Sequence, residues 1–106
     1  MDRLGMLQQF LKSRPDDPFV RYGLAMEYKK LGRLDEATAA FAELLAKSPE
    51  YVAAYLMAGN TLEEAGQAQE ALAMYTRGAE VARAAGDEHA TSELVAAHEA
   101  LAQGSV

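Results

Sequence analysis

The stretch Tyr22–Pro49, YGLAMEYKKLGRLDEATAAFAELLAKSP, decides the fold because it occurs nearly twice. Moved forward by 34 residues, Gly32 falls on Gly66, Glu36 on Glu70, Ala37 on Ala71 and Phe41 on Tyr75. The agreement is partial, since Thr38 falls on Leu72 and Tyr28 on Leu62. Self-similarity at a fixed period of this length marks a stacked array, in which each unit is too apolar to stand alone and is buried by its neighbour.

Outward from this stretch, apolar residues recur at helical spacing and prolines and glycines punctuate them. Leu4, Leu7, Phe10 and Leu11 share one face of a first helix over 2–13 that Asp2 can cap. Pro15 and Pro18 bracket a turn, and Asp17-Pro18 fits an N-cap followed by the first helical position. A second helix then runs over 18–31, with Arg21, Leu24, Ala25 and Tyr28 at i, i+3, i+4 and i+7, until Gly32 ends it. The third, over 34–47, turns Ala37, Ala40, Phe41, Leu44 and Leu45 inward and stops at Ser48-Pro49. A fourth starts near Glu50 and ends before Gly66, a fifth covers 68–85, and Asp87 opens a sixth that reaches about Ala102. The connections are short, so neighbours must pack as antiparallel hairpins. Ala25 and Gly59 occupy equivalent places, as do Ala37 and Ala71, and each leaves bare backbone where a ring from the facing helix can seat.

These residues resemble the tetratricopeptide repeat. The first copy carries Leu24, Ala25, Tyr28, Gly32, Ala37, Phe41 and Pro49, with Arg21 where an aromatic is commoner. The second carries Tyr55, Gly59, Gly66, Ala71, Tyr75 and Gly78, but Ala58 and Leu62 replace the leucine and tyrosine, and Arg83 stands where proline is expected. Leu7, Phe10 and Pro15 precede Phe41, Leu44 and Pro49 by one period, so the first helix reads as the second half of an incomplete repeat. Thr91, Leu94, Val95 and His98 restore the spacing two residues late, which with the missing proline implies a longer fifth helix. Ser92, Glu93, Glu99 and Gln103 would coat the far side of the last helix, as a terminal cap requires. The expected fold is all-α, a helix-hairpin solenoid of about six helices in one domain. It divides into a half-repeat over 1–15, repeats over 18–49 and 50–85, and a capping helix over 87–102.

The resemblance implies a non-catalytic interaction module whose inner helices line a concave groove for a partner peptide or helix. Carried over residue by residue, the groove would present Phe19, Tyr22, Met26 and Lys29, then Ala53, Leu56, Asn60 and Glu63. The competing reading is that Phe19 and Leu56 pack against neighbouring helices, as apolar residues at helical spacing usually do. A further possibility is a homodimer formed through the groove or the end helices. Family members that grip the C-terminal carboxylate of chaperones need lysine and asparagine where this chain has Tyr22 and Met26, so that clamp is not expected.

Charge narrows the partners. The net charge of −6 argues against nucleic acid and anionic membrane, and all of it resides in 51–106, where Arg77 and Arg83 face eight carboxylates. The two readings are a preference for a basic partner and a merely solvated surface. Without cysteine there is neither a disulfide nor a thiolate site, no apolar run is long enough to span a bilayer, and no signal-peptide core is present at the start. The expected compartment is the cytosol. His89 and Glu93, one turn apart, are two ligands without a third, and Glu63-Glu64 and Asp87-Glu88 read as exposed helix-end charges. No cofactor, metal or catalytic site is expected.

Overall fold

Capping chemistry fixes where several of the helices begin. In the computed structural model, which describes residues 2–104, the Asp2 carboxylate accepts from the Gly5 amide at 2.7 Å, Asp17 from Phe19 at 2.9 Å and Asp87 from Ala90 at 3.0 Å. Each satisfies an amide that the first helical turn leaves without a partner. The helices are α1 (Arg3–Ser13), α2 (Pro18–Lys30), α3 (Leu34–Lys47), α4 (Val52–Glu64), α5 (Ala68–Ala84) and α6 (Glu88–Gly104). The described residues contain no strand. At the start of α3, where no side chain caps the backbone, Arg33 forks onto Glu36 at 2.6 and 2.8 Å. Those hydrogen bonds hold the Glu36 carboxyl below its ordinary range.

The ends of α2 and α4 depend on glycine. Gly32 and Gly66 have φ of 75° and 78°, which lets the following residue fold back: the Arg33 amide donates to the Tyr28 carbonyl at 2.9 Å and Gln67 to Leu62 at 2.8 Å. Two boundaries differ from the sequence reading. α4 starts at Val52 and not near Glu50, because the Tyr51 amide donates to the Ser48 carbonyl at 3.0 Å and closes a turn through Pro49 and Glu50. α6 continues to Gly104, two residues past Ala102. The fifth helix is longer, as expected: α5 has 17 residues against 14 in α3, since Arg83 leaves no proline to stop it.

The six helices form successive antiparallel hairpins, α2 on α3 and α4 on α5, with α6 closing against α4 and α5. The principal extents are 43 × 30 × 19 Å. One core runs along the stack through Phe41, Leu44, Leu45, Tyr55, Tyr75 and Leu94, all essentially inaccessible. Two interior glycines allow it. A β-carbon at Gly59 would lie 2.2 Å from the Tyr75 ring, and one at Gly78 would lie 2.5 Å from the Tyr55 β-carbon. The rings of Tyr75 and Tyr55 thus press against helix backbone, and the two packing sites lie one helix apart in the stack.

The unusual Arg21 is explained by its hydrogen bond. Its Nε donates to the Pro15 carbonyl at 2.9 Å, while the Tyr55 hydroxyl donates to the Pro49 carbonyl. Both residues therefore reach back six positions to the proline of the preceding turn. The guanidinium does this in repeat one and the phenol in repeat two, and Arg21 also meets Glu43 at 3.1 Å.

Candidate functional site: two clefts on the inner helices

Inner helices α2, α4 and α6 lie side by side, α4 touching both of the others, and Tyr22 stands on the first of them. The ring is half-buried, edge-on to Phe41 at 6.3 Å between centroids and tilted on Tyr51 at 5.5 Å. Burial, and then the neighbouring Tyr51, push its phenol above the ordinary range.

On one side of Tyr22 is a cleft of about 300 Å³ between α2, α4 and α6. Tyr22, Val52, Ala53, Leu56, Met57 and Leu94 make an apolar floor, and Asp87, His89 and Glu93 stand along the α6 side. On the other side is a cleft of about 420 Å³ between α1 and α2, lined by Leu7, Phe10, Phe19, Val20 and Met26 with Arg3 and Arg14. Tyr22 borders both clefts.

The eight residues expected to form one groove therefore separate. Tyr22, Ala53 and Leu56 share the α2–α4–α6 cleft. Phe19, 74% exposed, and Met26 belong with Tyr22 to the α1–α2 cleft. Lys29 is held at 2.7 Å by Glu64, a residue of the next inner helix. Asn60 and Glu63 are engaged with the core, since the Tyr75 hydroxyl donates toward Asn60 Oδ1 at 2.7 Å and toward the Glu63 carboxylate. A polar group at the tip of a buried ring needs such partners, and these two carry the cost that the ring would otherwise impose.

The sequence pattern does not assign Asp87, His89 and Glu93 to the groove, although a signal for the last two exists. The delay of two residues that restores the pattern in α6 carries Ala53 to His89 and Met57 to Glu93. His89 is 87% exposed at the side chain and lies 3.4 Å from Glu93. No group of three metal-ligating side chains occurs among the described residues, and none of their helices is long and apolar enough to cross a membrane.

The buried phenols have a consequence at high pH. Burial, then the hydrogen bond to Glu63, raises the Tyr75 pKa far above its ordinary value, and burial raises that of Tyr55. A raised pKa in the folded state leaves stability unaffected below the unfolded value of about 10 and removes it as pH climbs beyond that point. Thermal melts followed by circular dichroism should therefore be level from pH 7 to 9 and fall steeply above about pH 10. Tyr75→Phe, which cannot ionise, should flatten that fall while lowering stability at pH 7 by about 1–3 kcal/mol.

The family model for the tetratricopeptide repeat matches residues 28–103. Two structures of a tetratricopeptide repeat domain protein from Salinibacter ruber are similar to the chain. The solution structure has 38% identity and a TM-score of 0.78, over 82% of this chain and 88% of that one. The crystal structure has 37% identity and a TM-score of 0.76, over 82% and 97%. A protein from Bordetella parapertussis shares the fold at 24% identity, with a TM-score of 0.84 over 98% of this chain and 90% of that one. No protein of curated function matches the sequence.

Proposed function

Since the chain belongs to the tetratricopeptide repeat family, whose members generally mediate protein–protein interaction, we propose that it is a non-catalytic adaptor holding a short segment of a protein partner in the α2–α4–α6 cleft. The observation that carries this reading is that Tyr22, Ala53 and Leu56 are joined around one apolar floor by side chains of α6. Such a floor takes up one or two apolar side chains of a peptide. The carboxylates of Asp87 and Glu93 at its edge favour a basic residue or an amino terminus beside them. The excess negative charge of residues 51–106 acts in the same direction at longer range.

Ala53 gives a clean test because it is exposed and its β-carbon faces the floor. Ala53→Arg lays a long cation across the cleft. It should reduce capture of partners from a lysate of the source cell at least roughly tenfold. Its melting temperature should stay within about 3 °C of the parent's, as surface substitutions seldom change stability by more than half a kcal/mol. Undiminished capture would exclude this cleft as the binding site. The alternative, self-association through the groove or the end helices, draws on Phe10 and Phe19, which are 44% and 74% exposed. Light scattering over a dilution series separates the two, since a mass that stays monomeric excludes self-association.

A further inference from the structure

At the α1–α2 cleft the row that is buried on the other outer helices is left open among the described residues. Along those outer helices equivalent positions are buried, and Phe41, Tyr75 and Gly78 among them meet Tyr22, Gly59 and Tyr55 of the preceding inner helix. On α3 these are Ala37, Phe41 and Leu44, and on α5 they are Ala71, Tyr75, Gly78 and Ala82, all buried. One period earlier on α1 stand Arg3, Leu7 and Phe10, with Arg14 one period before Ser48. Among the described residues no helix other than α2 packs against them. α1 packs on α2 alone, Leu7 is half-buried, and Phe10 is 44% exposed. On the α2 side, Val20 is buried and Gly23 faces the end of the Leu7 side chain, so the open part of the cleft is lined by Phe10, Phe19 and Met26 with the two arginines.

The seat also differs in chemistry from its two copies. Where α3 and α5 have alanine or serine at the ends of the row, α1 has arginines. Arg3 meets Glu27 at 3.2 Å through Nε and keeps a side chain that is 65% exposed. Arg14 lies over the Phe10 ring, 5.8 Å from its centroid, and has no acidic partner among the described residues. Eleven residues of helix place the two cations about 16 Å apart on nearly the same face, with the apolar row between them.

We propose that this cleft is the docking seat for an amphipathic helix of a partner protein, lying antiparallel to α1. Its apolar stripe covers Leu7, Phe10, Phe19 and Met26, and acidic side chains about three turns apart meet Arg3 and Arg14. The two cations disfavour the symmetric arrangement in which α1 of a second copy lies antiparallel in the seat, because Arg3 of each copy would then face Arg14 of the other. The site is distinct from the α2–α4–α6 cleft and stands whether or not that cleft binds a peptide.

Fluorescence polarisation with the full chain tests this, using two capped, labelled helical peptides of about 17 residues. Both carry leucines on one stripe. One has glutamates eleven positions apart at the stripe's ends, and the other has lysines there. The glutamate peptide should bind roughly tenfold tighter at low salt. Phe10→Glu should abolish binding while leaving the circular dichroism spectrum intact, since Phe10 is a surface residue. Arg14→Glu should reverse the preference toward the lysine peptide, and Ala53→Arg should change nothing. Equal affinity for the two peptides, or binding lost through Ala53→Arg but not Phe10→Glu, would overturn the proposal. So would a dimer in light scattering that Phe10→Glu dissolves and the glutamate peptide fails to displace, which assigns the seat to a second copy.

Discussion

Tyr75→Ala is expected to lower the unfolding free energy by about 3–5 kcal/mol, a large share of the roughly 5–15 kcal/mol that a domain has in total. The ring is completely inaccessible, lies against the backbone of α4 at Gly59, and ends in hydrogen bonds to Asn60 and Glu63. Truncation leaves a cavity bounded on one side by helix backbone, which cannot collapse to fill it. It also leaves Asn60 and Glu63 without the hydroxyl, although both lie near the surface and water can replace it. Urea denaturation followed by circular dichroism measures the change, and an unaltered slope with denaturant would show that stability changed and not the surface exposed on unfolding. A loss below about 1 kcal/mol would mean that the ring contributes little to the stack.

Gly59→Ala is the second large effect, and its sign depends on Tyr75. In the middle of a helix alanine is favoured over glycine by about 1 kcal/mol. At Gly59 the added methyl would come within 2.2, 2.6 and 2.7 Å of three ring atoms of Tyr75, a ring with nowhere to move. Overpacking of this kind costs about 1–3 kcal/mol, occasionally more. The net expectation is a loss of about 2 kcal/mol, or roughly 10 °C in melting temperature. Gly23→Ala provides the control, because its methyl would meet only the end of the flexible, half-buried Leu7 side chain at 3.2 Å. It should be neutral or stabilise by up to about 1 kcal/mol. In a Tyr75→Ala background the steric term vanishes, and Gly59→Ala should become stabilising. Measuring the four proteins as a double-mutant cycle yields the coupling directly, and additive effects would refute the contact as the cause.

The sequence alone determined the hairpins and their order. Asp17-Pro18, Gly32, Gly66 and Asp87 set helix ends through local backbone chemistry, which needs no tertiary information. The period of 34 residues then assigned Phe41 and Tyr75 to one buried row, because equivalent positions in a stacked array face equivalent neighbours. Even the length of α5 was readable, from Arg83 standing where proline was due. The tertiary structure alone decided how the exposed inner surface is shared. Periodicity says which face of α2 or α4 looks inward but not which other helix shares the space before it. Thus Phe19 and Met26 joined α1, Asn60 and Glu63 turned to the Tyr75 hydroxyl, and the cleft around Ala53 and Leu56 acquired its far wall from α6. A cleft is a relation between elements distant along the chain, and its shape is set by side-chain volumes at their crossings, which a one-dimensional pattern does not contain.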